Sequence, residues 1–230
     1  IENNVEDNAK AWIVRENDKR DNPTSYEDYP NPEAKPVTLY INTGAPKAGT
    51  LNTTKLDNKG TETLQDDASI AGAELATAKE SKHRLLYVTP TLTKASPISG
   101  VSDITVSLSS NTPAANLSVW LVSLPWNEDK KAKITDNIIT RGWADPQNYK
   151  SISKGEALKK GEFYDVTFSL QPDDQIIPEG QQIGLMIFSS DKEFTLHPKP
   201  GTALTIDLDK TSLNLPVVGG KDALENAFKQ

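Results

Sequence analysis

The residues able to do chemistry are few and scattered. The chain holds two histidines, His83 and His197, and no cysteine. A serine hydrolase needs a nucleophilic hydroxyl, an imidazole within hydrogen-bond reach and a third group that orients the imidazole. The Gly-x-Ser-x-Gly elbow that presents such a serine is absent from the sequence. His83 stands between Lys82 and Arg84 at the start of a strand-like run, and His197 precedes Pro198 in a Pro/Lys turn. Both are expected at the surface. Neither has an acid at ligand spacing, so they make a poor metal site. Asp66-Asp67 and Asp173-Asp174 have the composition of a Ca²⁺ loop or an acid–base pair. Adjacent acids in polar loops also serve solubility and turn formation, which is the expectation here. No catalytic residue, no metal ligand and no cofactor is therefore predicted.

Four tryptophans remain to be placed. Trp12 and Trp120 lie in strand-like runs and are expected in the core. Trp126 and Trp143 lie at strand ends, where an exposed indole can stack on a sugar ring or anchor an interface. These two are the candidate ligand or interface residues.

The elements that must position these side chains are strands. The stretch 161–200 organises the rest and reads as two strands joined by a polar crossover. Within it Tyr164, Val166, Phe168 and Leu170 alternate with Phe163, Asp165, Thr167 and Ser169, the pattern of a half-buried strand. Pro172-Asp173-Asp174 is expected to break that strand. Ile183 to Phe188 is nearly continuous apolar sequence, as in a strand covered on both faces. Further strands are expected at 11–14, 37–41, 84–89, 103–110, 116–124, 137–143, 202–208 and 212–218. The run 116–124 is apolar on both faces and should be central. Residues 42–67 read as a loop with one weak edge strand, and Ile98-Ser99-Gly100 as a turn. Residues 71–80 have helical propensity but fit an extended loop equally. A short terminal helix is expected within 221–230, with Leu224 and Phe228 at helical spacing, and residues 1–10 are expected to fray. The sum is nine or ten short strands with at most short helices: an all-β antiparallel sandwich, jelly-roll or immunoglobulin-like, as a single domain over 1–230.

Bulk properties narrow the partners. The net charge of −7 has both signs interspersed, which argues against nucleic acid. No apolar run reaches the ~20 residues of a membrane-spanning helix, so no membrane partner is expected. Lack of cysteine excludes disulfides and suits a cytoplasmic location. The acidic, polar N-terminus has no signal-peptide pattern. It also lacks Met, as expected of a fragment or processed product.

The order of motifs resembles a known family. RLLYVTPTL (84–92) is followed by Ile98-Ser99-Gly100, then LSVWLVSL and IITRGW. Next come a G-x-x-Y-x-V-x-x-x-L segment at Gly161, Tyr164, Val166 and Leu170, and a P-x-G-x-x-I-x-L-x-I-x-S-S-D segment. The latter falls on Pro178, Gly180, Ile183, Leu185, Ile187, Ser189, Ser190 and Asp191. This series is similar to the C-terminal jelly-roll domain of the Xaa-Pro dipeptidyl-peptidase (X-prolyl dipeptidyl aminopeptidase) family, which is related to that of cocaine-esterase-like hydrolases. The resemblance covers residues 84–218. It implies a galactose-binding-like jelly roll that follows an α/β-hydrolase domain bearing a Ser-Asp-His triad. Such enzymes remove Xaa-Pro dipeptides from peptide N-termini. All three triad residues belong to the upstream domain, so none maps onto this chain. The implied partner is that upstream α/β-hydrolase catalytic domain of the same parent chain; a homodimer of the parent stays open. The expected role is non-catalytic support of architecture, substrate access or partner contacts. The alternative is a carbohydrate- or ligand-binding jelly-roll module.

Overall fold

The computed structural model describes residues 7–57 and 60–229. The expected fraying at the N-terminus falls, for residues 1–6, outside the described residues. Two short strands, β1 (Ala11–Ile13) and β2 (Thr24–Tyr26), pair only with each other. The others form two facing layers. One layer holds β3 (Ala34–Ile41), β5 (Thr61–Gln65), β7 (Ser96–Gly100), β8 (Asp103–Ser110), β11 (Tyr164–Ser169), β12 (Asp173–Ile177), β14 (Ala203–Asp207) and β15 (Ser212–Val218). The second layer holds β4 (Gly49–Asn52), β6 (Arg84–Val88), β9 (Leu117–Leu124), β10 (Ile138–Ala144) and β13 (Gln182–Phe188), in the order β10-β9-β13-β6-β4. After β6 the chain alternates between layers, two strands at a time until β13. The result is the all-β jelly-roll sandwich that the strand pattern and the resemblance imply. β4 joins the layers, pairing antiparallel with β3 and parallel with β6.

Alternation decides which faces meet. Tyr164 and Val166 of β11 are buried, whereas Asp165 and Thr167 are exposed. Their register partners on β8 are Leu108 and Val106, so cross-strand pairs stack into the main core. The facing layer contributes Leu117, Val119, Leu121, Ile183, Leu185 and Ile187. Each such side chain, fully removed from water, contributes about 1.5–3 kcal/mol.

The even positions of β9 and β13 enter a second, smaller cluster outside the layer. Trp120, Val122, Met186 and Phe188 pack there with Leu86, Leu75 and Ala76. The cover is α1 (Gly72–Thr77), one of the two arrangements that the sequence leaves open for 71–80. Gly72 lies flat on Trp120: a Cβ at this position would stand 2.3 Å from the indole Cη2. The expectation of apolar cover on both faces of β9 and β13 therefore holds. At the other end, α2 (Gly220–Ala227) buries Leu224 and Ala227, matching the expected terminal helix.

Several expectations need correction. There are fifteen strands among the described residues, not nine or ten. The two strands around the organising crossover are present and fall in different layers; β11 joins β8 and β13 joins β9 and β6. β11 ends at Ser169, ahead of the break expected at Pro172-Asp173-Asp174, but the two aspartates form no turn: they open β12, paired with Gly100 and Ser99 of β7. The segment 96–100 is thus strand, and only Gly100, at φ 127°, turns. Residues 42–67 hold two strands, β4, which is paired on both sides, and β5, which lies at an edge. Trp12 is not core but 58% exposed, because the β1–β2 ribbon has no layer over its outer face.

Candidate functional site

The densest grouping of polar and aromatic side chains lies on the outer face of β9 and β10. Arg141 pairs in register with Trp120, and Trp143 with Ser118. All four side chains leave the sheet on the side away from the main core. Asp191, just past the end of β13, is 1% exposed. Its Oδ2 accepts the indole N–H of Trp120 at 2.9 Å and that of Trp143 at 3.0 Å. Asp191 also starts a tight turn: the amides of Phe194 and Thr195 donate to its carbonyl, and its own amide donates to Thr195 Oγ1. That turn stacks Phe194 on Trp143, with centroids 5.2 Å apart. The Arg141 guanidinium lies over three rings, 4.6 Å from Phe194, 5.5 Å from Trp120 and 5.7 Å from Trp143. Indole N–H groups bonded to a carboxylate make electron-rich faces, which suits a cation.

A second grouping surrounds β12. Neighbours on a strand point to opposite faces, so Asp173 and Asp174 diverge. Asp174 pairs with Arg15 Nε at 3.2 Å and accepts the Tyr26 hydroxyl at 3.2 Å. Asn17 donates to Ile176 O at 2.7 Å, and the Glu16 amide donates to Asp174 O at 3.2 Å. These contacts clasp the segment after β1 to the edge of β12. Asp173 faces inward, where Gln175 Nε2 donates to Oδ2 at 2.7 Å. Burial pushes the Asp173 carboxyl up to about 7; the Gln175 hydrogen bond opposes this, and the charges of Glu16 and Asp174 add to it. Tyr29 is likewise raised by burial and then by Asp174 and Asp173. A cavity of about 140 Å³ adjoins Asp173 and is lined by Glu16, Ile139, Thr140 and Gln171 among others. It brings no nucleophile and base together.

The other predicted candidates are dispersed. Asp66 accepts both the amide and the hydroxyl of Ser190, at 2.7 and 3.1 Å. Asp67 is held by Ser69 and is lowered by those hydrogen bonds, its side-chain one first. His83 bonds through Nδ1 to Gln65 O, and His197 is exposed. Among the described residues no hydroxyl donates to either imidazole, and no cluster of His, Cys, Asp or Glu is set to hold a metal. Trp126 is half-buried against the second cluster. Trp143 is half-buried within the Arg141 grouping. The two candidate tryptophans are therefore not brought together.

Sequence reasoning passed over Arg84, Arg141 and Asp191. Arg84 is fully buried, and its guanidinium donates to Ala45, Pro46, Lys47, Leu75 and Ala78 carbonyls at 2.6–3.3 Å. The available signal was an arginine inside an otherwise apolar strand, in RLLYV and again in IITRGW.

Comparison with known proteins adds the context. The family described as "X-Pro dipeptidyl-peptidase C-terminal non-catalytic domain" matches residues 3–224. A putative Xaa-Pro dipeptidyl-peptidase of Rhodopirellula baltica is 58% identical over 98% of this chain, which spans 36% of that relative's length. A putative Xaa-Pro dipeptidyl-peptidase of Bacillus anthracis is 32% identical over 95% of the chain, spanning 35% of that relative. Among solved structures, an aminopeptidase from a marine sediment archaeon superposes with a TM-score of 0.68 at 11% identity, over 85% of this chain and 39% of that one. An α-amino acid ester hydrolase gives 0.61 at 16% identity, over 79% and 36%. A CocE/NonD family hydrolase of Staphylococcus aureus gives 0.63 at 14% identity, over 85% and 39%. At these identities the structural likeness is one of fold.

Proposed function

The chain belongs to the family of X-Pro dipeptidyl-peptidase C-terminal non-catalytic domains, and on that premise we propose that it serves a serine-type Xaa-Pro dipeptidyl-peptidase as its accessory domain. Bond cleavage falls to an upstream α/β-hydrolase domain, and this domain supports its architecture and access to its site. The observation that carries the reading is the 58% identity across nearly the whole chain with a relative nearly three times as long. The site chemistry agrees with it. The polar groupings at Asp174, Asp66 and Arg84 serve structural contacts, and Trp143 has its N–H and one ring face already engaged. That favours an interface anchor over an open platform for a sugar.

The test is the release of p-nitroaniline from glycyl-prolyl-p-nitroanilide. The full-length polypeptide carrying this domain is expected to release it, and the 230-residue chain alone is expected to release none. Release by the isolated chain, or none by the full-length polypeptide, overturns the reading.

A further inference from the structure

The β10 end of the second layer carries a cation that the chain does not itself neutralise. The Arg141 guanidinium has five N–H donors in a planar fork. Among the described residues none of them donates to a protein acceptor, and no carboxylate pairs with it. The Asp191 oxygen closest to this grouping is already taken by two indole N–H groups. Three ring centroids lie 4.6–5.7 Å from the guanidinium carbon, so the rings cover it without engaging its N–H donors. The edge of the fork is the part that matches a carboxylate in two parallel hydrogen bonds.

The surroundings are apolar and exposed. Phe194 is 50% exposed and Leu196 is 90% exposed. The Leu196 carbonyl accepts from Asn116 Nδ2. The Phe194 amide donates to the Asp191 carbonyl in the turn described above. A loop that points two large apolar side chains outward, beside an unpaired guanidinium, has the composition of an interface anchor: aromatic, arginine and leucine around one charge.

We propose that Arg141, Trp143, Phe194 and Leu196 form the surface on which the upstream domain of the same polypeptide docks, and that a carboxylate side chain of that domain pairs with Arg141. This inference rests on the reading given under Proposed function. The occupant follows from length and charge. The chain accounts for 36% of its Rhodopirellula relative, so a larger body must find a face on it. The guanidinium calls for a negative partner that this chain does not supply. Ile152, 95% exposed, is two residues from Lys150, a cation that the chain already pairs with Glu156, and a scattered apolar side chain of this sort needs no partner.

The experiment uses the full-length polypeptide with p-benzoylphenylalanine placed at Leu196, and at Ile152 as a control. After irradiation, peptide mapping should show position 196 joined to the upstream domain and position 152 joined to nothing above background. Arg141→Glu should abolish the cross-link from 196. Changing the nearest mapped acid to lysine in that background should restore it. If Arg141→Glu fails to fold, Arg141→Gln replaces it, with partial loss expected. A cross-link to a second copy, or none above the Ile152 control, overturns the docking surface. A cross-link indifferent to Arg141→Glu overturns the charge pairing. Dipeptidyl release measured on the same preparation separates the two claims: activity without the cross-link sinks only the docking, and the cross-link without activity sinks only the proposed function.

Discussion

Arg84 and Arg141 lie three strands apart in the same layer, on β6 and β10, and their guanidinium groups meet opposite surroundings. Arg84 is sealed in and donates to five backbone carbonyls from two separate segments, 45–47 and 75–78. No carboxylate is among its partners, so it acts as a knot between two loops; of its five carbonyls, those of Ala45 and Pro46 also accept the amides of Leu86 and Ser81. Glu62 tightens the same corner, accepting the amides of Gly44 and Ala45 and the Tyr87 hydroxyl. Arg141 is half-exposed, touches ring faces and donates to no protein acceptor among the described residues. The lesson is that the number of satisfied donors, not the presence of charge, separates a structural cation from one held for a partner.

The largest effect expected from this contrast is at Arg84. Arg84→Met keeps the length of the side chain but takes the guanidinium donors away from the Lys47, Leu75 and Ala78 carbonyls, while Ala45 and Pro46 keep a backbone donor. It should cost about 3–5 kcal/mol, lowering Tm by on the order of 10 °C for a domain of this size. Thermal unfolding followed by circular dichroism reads it directly. A loss no greater than that of Arg141→Met would break the contrast.

Asp173 extends the rule to an anion. Its donors are Gln175 and the Asp174 amide, while the charges of Glu16 and Asp174 oppose its ionisation; Arg15 is engaged by Asp174, and Tyr29 lies within range. The folded carboxyl, raised to about 7, holds its proton where the unfolded one, near ~3.9, has lost it. Between those values the folded state binds more protons, so stability falls as pH rises, by up to about 1.4 kcal/mol per pH unit. Below the window the difference vanishes. Asp173→Asn should therefore leave stability near pH 4 almost unchanged and raise it by about 2–4 kcal/mol at pH 8. Urea midpoints measured at both pH values check this; a variant less stable than the parent at pH 8 would show Asp173 to be satisfied as an anion.

Asp191 is the anion that is satisfied. Asp191→Asn removes the charge from two short N–H···O contacts and leaves an amide that accepts less strongly, so about 1–2 kcal/mol should be lost. The near-ultraviolet circular dichroism of Trp120 and Trp143 should change with it. An unchanged aromatic spectrum would mean that the indoles are held by packing alone.

How far the sequence revealed all this depends on the range of the contacts involved. The alternation of β11 and the two-faced apolar runs of β9 and β13 are local patterns, and each was legible. β12 was not, because Asp-Asp suits a turn locally; its partners Arg15 and Tyr26 are far away in sequence, Tyr26 by 148 positions. β7 was hidden by Pro97 and Gly100. Trp12 and Trp120 read alike as strand tryptophans, yet one sits on an uncovered ribbon and the other under α1. That difference lies in what covers a strand, which periodicity does not record. The polar site was least legible of all. Arg84, Arg141 and Asp191 acquire meaning only from carbonyls, ring faces and indole N–H groups supplied by other elements.

The smallest effect should be at Arg141, and its smallness is informative. A cation on exposed aromatic faces contributes about 0.5–1 kcal/mol, and the three rings share one guanidinium, so their contributions do not simply add. Methionine covers the same rings with a thioether, recovering part of that contact. Arg141→Met in the 230-residue chain should therefore lose no more than about 1 kcal/mol, a Tm shift of roughly 2–4 °C at most. The same change in the full-length polypeptide should cost more, because a carboxylate desolvated against Arg141 would then be left without its partner. Differential scanning calorimetry of both forms gives the two numbers side by side. Equal small losses in both would make the guanidinium a surface ornament of the rings; a loss in the short chain matching that of Arg84→Met would make it a second knot, and the distinction between the two ends of the layer would disappear.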